Sequence, residues 1–145
     1  MDKITEREMA DSVQSVARGL GYEVEIEPST RRWRWPSRNY LVPVAFGGVL
    51  RPDLVVRHKD HSAVVELKNR GVLFGGVEQV IQYAEEFKAA GVLCMPDDAI
   101  RETPASVAAY ADAENIVICP ISQIGEVLTD ILGRPEYEAL REVNA

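Results

Sequence analysis

The stretch RPDLVVRHKDHSAVVELKN, residues 51 to 69, sets Asp53, Glu66 and Lys68 among valines and leucines. Charged side chains are rarely buried without a partner, so charges that interrupt a valine run ask for one. The runs PDLVVR and SAVVELK flank the short polar turn HKDH and predict an antiparallel hairpin. With the turn centred on Lys59 and Asp60, Asp53 faces Glu66, Val55 faces Val64, and Arg51 faces Lys68. Glu66 and Lys68 then share one face of their strand, while Val65 and Leu67 point the other way. Like charges directly opposite each other on a sheet destabilise it by roughly 0.2 to 1 kcal/mol, and burial adds to that. A divalent cation between the carboxylates removes the objection. Asp53, Glu66 and the backbone carbonyl of Leu67 would supply part of an octahedral Mg²⁺ (or Mn²⁺) site, completed by water and a substrate phosphate. Lys68, beside them, would hold or deprotonate an attacking water. A one-residue slip of the hairpin would carry a carboxylate to the wrong face, so the chemistry depends on register.

The elements that must hold this hairpin follow from periodicity. From Thr5, TEREMADSVQSVARGLG opens with a Thr-x-x-Glu capping box and carries Met9, Val13, Val16, Ala17 and Leu20 at helical spacing before stopping at Gly19 and Gly21. YEVEIE alternates at period two and predicts a strand, followed by the irregular PSTRRWRWPSRN and the apolar YLVPVAF. After the hairpin, residues 76 to 88 place Val77, Val80, Ile81, Ala84 and Phe87 on one helical stripe. GVLCMP and NIVICP bracket the helix-like PASVAAYADA, which predicts a βαβ unit with parallel strands. ISQIGEVLTDIL predicts a last helix ending at Gly133, with a charged tail after it.

At 145 residues the chain suits one domain, spanning 1–145, and buries about two thirds of its unfolded surface. A hydrophobic fraction of 46% with 27% charged residues argues against disorder. Cys94 and Cys119 each lie inside an apolar run and form no Cys-x-x-Cys pair, so they are expected to be buried thiols of a cytoplasmic protein. No apolar run is long enough to span a bilayer and no secretion signal opens the chain, which also predicts a cytoplasmic protein without a membrane partner. The net charge of -7 disfavours nucleic acid at first sight, but its distribution is uneven. Residues 1 to 72 hold 12 Lys or Arg against 10 Asp or Glu, and residues 73 to 145 hold 4 against 13. Basic charge concentrates further in RRWRWPSR, residues 31 to 38.

Pro52-Asp53, a spacer, and Glu66-Leu67-Lys68 together resemble the signature of the PD-(D/E)xK nuclease superfamily, the restriction-endonuclease-like fold. QVIQY adds Gln79 and Tyr83 at the Gln-x-x-x-Tyr spacing of one branch of that family, on the helix after the Lys strand. The resemblance implies an α/β fold with an αβββαβ core, a mixed central sheet flanked by helices. That core would cover about residues 5–96, with a βα extension over about 97–133 and a tail over 134–145. It implies Asp53 and Glu66 as metal ligands, Lys68 as the residue that orients or activates water, and Gln79 and Tyr83 as supports for Lys68 or a phosphate. Many members add an acidic residue from the first helix, for which Glu8 is the best match here and Asp11 the second.

The expected function is a Mg²⁺-dependent deoxyribonuclease, endonucleolytic, that hydrolyses phosphodiester bonds by in-line attack of water and departure of the 3′ oxygen. Arg31, Arg32, Arg34 and Arg38 would meet phosphates while Trp33 or Trp35 stacks on a base, although a half-exposed strand with both tryptophans in the core accounts for the same residues. The alternative is a catalytically silent DNA-binding module of a restriction, repair or mobile-element complex. In either case the small size points to a homodimer or a partner protein as the source of specificity. His58 and His61 beside Asp60 resemble a metal cluster, yet a polar hairpin turn is the better account of them.

Overall fold

The computed structural model describes residues 4–27 and 52–134. The RRWRWPSR segment with Arg31, Arg32, Trp33, Arg34, Trp35 and Arg38, the YLVPVAF run, Arg51 and the tail from residue 135 lie outside the described residues.

Helix α1 (Glu6–Gly19) starts where the sequence predicts. The Glu8 N–H donates to Thr5 Oγ1 at 3.0 Å and the Thr5 N–H donates back to Glu8 Oε1 at 3.3 Å, closing the capping box. Such a cap stabilises a helix by about 1 kcal/mol. Met9, Val13 and Ala17 form its buried stripe. Strands β1 (Glu23–Ile26), β2 (Leu54–His58) and β3 (His61–Leu67) follow, then α2 (Phe74–Phe87) and β4 (Ala90–Met95). A short 3₁₀ helix (Asp97–Glu102) leads to α3 (Ala105–Ala113), β5 (Ile116–Pro120) and α4 (Ile124–Leu132). The 3₁₀ helix has no counterpart in the sequence reading, and the predicted last helix divides into a 3₁₀ turn over Ile121–Gln123 and α4.

The strands form one five-stranded mixed sheet in the order β1-β2-β3-β4-β5. β1, β2 and β3 are antiparallel neighbours, and β3, β4 and β5 run parallel, joined by α2 and α3 as crossovers. The hairpin register is the expected one: Leu54 pairs with Val65, Val55 with Val64 and His58 with His61. The turn is closed by Lys59 in the left-handed region (φ 54°), a conformation that disfavours a slipped loop.

Alternation along the strands divides the core in two. Leu54, Val56, Ala63, Val65 and Leu67 pack with Cys94 and Cys119 under α1 and α4. Leu93 and Met95 pack under α2 and α3 on the opposite face, where Val55 and Val64 meet Tyr83. Both cysteines are free and buried, as expected. α1 and α4 lie close because residue 125 is glycine: a Cβ there would stand 3.2 Å from Val16 Cγ1. The buried Tyr22 hydroxyl donates to the Gly133 carbonyl, tying the end of α4 to the chain after α1. Among the described residues, no helix is long and apolar enough to cross a membrane.

One prediction arises from the link between β3 and α2. The Gly71 N–H donates to Glu102 Oε2 at 3.2 Å, and the Val72 N–H donates to Thr103 Oγ1 at 3.1 Å. A Cβ on Gly71 would lie 2.5 Å from the Glu102 carbonyl carbon, so Gly71→Ala must push two backbones apart. The expected loss is about 1 to 3 kcal/mol, read as a lowered midpoint in urea denaturation. An unchanged midpoint would show that the close approach is not rigid.

Candidate metal and catalytic site

Asp53 stands one residue before β2, where it is gripped from both sides. Its carbonyl accepts from the Glu27 N–H at 2.8 Å, extending the β1 ladder. Its Oδ2 accepts from the Leu67 N–H at 2.8 Å, and its own N–H donates to Glu66 Oε1 at 3.2 Å. The Glu66 carboxyl thus takes the Asp53 N–H while the Asp53 carboxylate takes that of Leu67, the residue after Glu66, which brings the two acids together across the hairpin.

Glu66 is 4% exposed and sits beside Leu93 of β4 on the face covered by α2. Burial pushes its carboxyl up to about 9, helped by the hydrogen bond to and the charge of the Asp53 carboxylate; Lys68 acts in the opposite direction. Lys68 continues the parallel ladder past the end of β3, donating its N–H to the Cys94 carbonyl at 3.0 Å. Its side chain runs along the first turn of α2, with Cε 4.0 Å from where a Cβ on Gly76 would stand.

Helix α2 supplies the other wall. The Gln79 Nε2–H donates to the Tyr83 hydroxyl at 2.9 Å, and the Tyr83 ring is buried against Val55 and Val64. With Gly76 beside Lys68 and Tyr83 over Val64, the helix runs antiparallel to β3. Its rise of about 1.5 Å per residue against about 3.3 Å in the strand brings Gln79 to the level of Glu66. Five of the six residues expected to be catalytic, Asp53, Glu66, Lys68, Gln79 and Tyr83, therefore lie along one face of the hairpin and the helix across it.

Glu8 does not join them. Its carboxylate is occupied in the α1 capping box, and α1 covers the sheet face opposite Glu66. Asp11 is exposed on that same helix. Among the described residues, no three His, Cys, Asp or Glu side chains converge on one point. His58 instead sets its ring edge-on to Tyr22, with centroids 5.7 Å apart, and His61 is its exposed partner across the turn. A cavity of about 520 Å³, lined by Val16, Leu20, Tyr22, Ile124 and Thr129 among others, opens between α1 and α4, on the far face from the carboxylates.

The oxygen chemistry of these donors is the kind a hard divalent cation takes. Two opposed carboxyl groups, one of them pushed toward its protonated form by burial and by the Asp53 carboxylate, would offer oxygen ligands to a cation, and the Leu67 carbonyl would be the third. The strap of Gly71, Glu102 and Thr103 that fixes the chain after Lys68 has no signal in the sequence, because its partners are 31 residues apart. No family model matches the chain, and a search of curated proteins finds no match.

Proposed function

We propose that the chain is a Mg²⁺-dependent deoxyribonuclease with a restriction-endonuclease-like αβββαβ core, cutting phosphodiester bonds within DNA. The order α1, β1, β2, β3, α2, β4 supports the fold assignment. The observation that carries the activity is the facing pair Asp53 and Glu66 with Lys68 on the same side of the hairpin. A buried acid kept from ionising beside a carboxylate costs stability near neutral pH that a purely structural pair would have no reason to carry. Asp53, Glu66 and the Leu67 carbonyl would hold Mg²⁺ or Mn²⁺. When bound, the cation lowers the pKa of water and offsets charge on the phosphoryl group. Lys68 is the water-positioning residue: its ammonium would orient the attacking water toward phosphorus, and its place at the end of β3 is fixed by the Cys94 carbonyl. Gln79 and Tyr83, hydrogen-bonded to each other, keep the α2 wall in register with Glu66 and offer an amide to a phosphate oxygen.

The test is metal removal. Purified protein is expected to nick supercoiled plasmid with Mg²⁺ or Mn²⁺ and to stop in EDTA, with an Asp53→Ala, Lys68→Ala double variant prepared in parallel as the blank for contaminating nuclease. Nicking that survives EDTA, or that the blank shares, rejects the proposal.

A specific observation favours a second reading, a silent DNA-binding module. The reciprocal bonds of Asp53 and Glu66 to Leu67 and Asp53 N–H groups satisfy part of each carboxylate without a metal. Calorimetry with Mn²⁺ separates the two: heat and proton release for the enzyme, neither for the module.

A further inference from the structure

The chain between Lys68 and α2 presents two large apolar side chains to solvent. Leu73 is 67% exposed and Phe74, the first residue of α2, is 47% exposed. Exposed apolar residues scattered singly mean little, but these two are adjacent and rigidly mounted. The strap holds Gly71 and Val72 to Glu102 and Thr103, and the Phe74 ring tilts against Tyr110 of α3 with centroids 5.6 Å apart. Gly76, two residues after Phe74, lies beside the Lys68 side chain, so the platform is within about one helical turn of the ammonium. Exposed Arg70 stands on the same short link.

Cationic groups beside a fixed apolar step suit a polyanion that also offers flat apolar faces. A continuous duplex covers its base faces by stacking and offers phosphate and sugar to most contacts. Single strands and frayed ends leave those faces open to aromatic and apolar side chains. We infer that Leu73 and Phe74 form a base-stacking step at the mouth of the Lys68 site, and that the substrate is DNA with unpaired bases. This rests on the nuclease reading of Asp53, Glu66 and Lys68, and names its substrate class.

The experiment measures anisotropy of a fluorescein-labelled 12-nucleotide strand, alone and in a blunt duplex, with the full chain and Ca²⁺ replacing Mg²⁺. A second strand carries 2-aminopurine as a stacking reporter. The single strand is expected to bind on the order of 10-fold more tightly than the duplex, with 2-aminopurine quenched. Leu73→Ser combined with Phe74→Leu, which keeps an apolar contact for Tyr110, is expected to bring the ratio to about one and to relieve the quenching; Phe74→Trp alone is expected to retain both. A duplex preference in the wild type, or a ratio and quenching that the double variant leaves intact, overturns the inference while metal-dependent nicking still stands. Equal weakening on both DNAs marks a structural role and overturns it too. Failure to bind either DNA overturns this inference and the nuclease reading together.

Discussion

Glu66→Gln is expected to cripple cleavage and, in the same molecule, to raise the stability of the metal-free protein. The folded protein buries the Glu66 carboxyl beside the Asp53 carboxylate and holds its proton up to about 9, whereas the unfolded chain releases it near the ordinary 4.5. Between those values the folded state binds more protons than the unfolded state. The contribution of Glu66 is therefore fully present below pH 4.5 and is lost as pH rises toward 9. Gln keeps an oxygen for the Asp53 N–H and offers an N–H to the Asp53 carboxylate in place of the acid proton. At pH 8 the variant should gain about 1 to 4 kcal/mol, seen as a melting temperature above wild type in EDTA and a flatter dependence on pH. Adding Mn²⁺ should reverse the ranking, since only wild type gains a ligand by losing that proton. Cleavage in the variant should fall on the order of 10³-fold, the loss typical of a group that offsets transition-state charge. A variant that melts below wild type at pH 8 in EDTA would show that the pair is an ordinary structural contact.

Lys68→Ala is expected to lower kcat by about 10² to 10³-fold, the loss when one preorganised donor aimed at the reacting atoms is removed. Lys68 also favours the charged form of Glu66, so its loss leaves that carboxyl harder to ionise and weakens Mn²⁺ binding at neutral pH. Lys68→Arg separates the roles. Its guanidinium restores the charge and hence the Mn²⁺ affinity, but its planar, longer fork cannot place a donor where the ammonium stands, and most of kcat should remain lost. Calorimetry and single-turnover cleavage on the same preparations check this, and full kcat in either variant would remove Lys68 from the reaction.

The placement of the candidate site residues was legible from residues 51 to 69 because a two-residue turn and a period of two leave few freedoms. Once Lys59 and Asp60 are the turn, the pairing of Val55 with Val64 follows, and with it the common side of Asp53, Glu66 and Lys68. α2 was legible from its apolar stripe, though it begins two residues earlier than periodicity suggests, at Phe74, a residue left in water. Glu8 was misleading for a physical reason. Thr-x-x-Glu is a local signal that employs the carboxylate at the helix start, and the same residue cannot serve both that cap and a site across the sheet. The Gly71 strap was invisible, because nothing near Gly71 in sequence announces that Glu102 and Thr103 return to it. The Leu73 and Phe74 step was equally hidden, since periodicity cannot distinguish an apolar residue that packs from one that waits outside.

The tie between Tyr22 and Gly133 has a bearing on how the protein is made. α1 leaves the ribosome long before α4, yet Met9, Val13 and Ala17 share their cluster with Ile124, Leu128 and Leu132. Contacts so distant along the chain slow folding. During synthesis α1 can therefore meet β2 and β3 early, but its α4 side stays uncovered, a natural client for a holdase, until more than a hundred further residues have been translated.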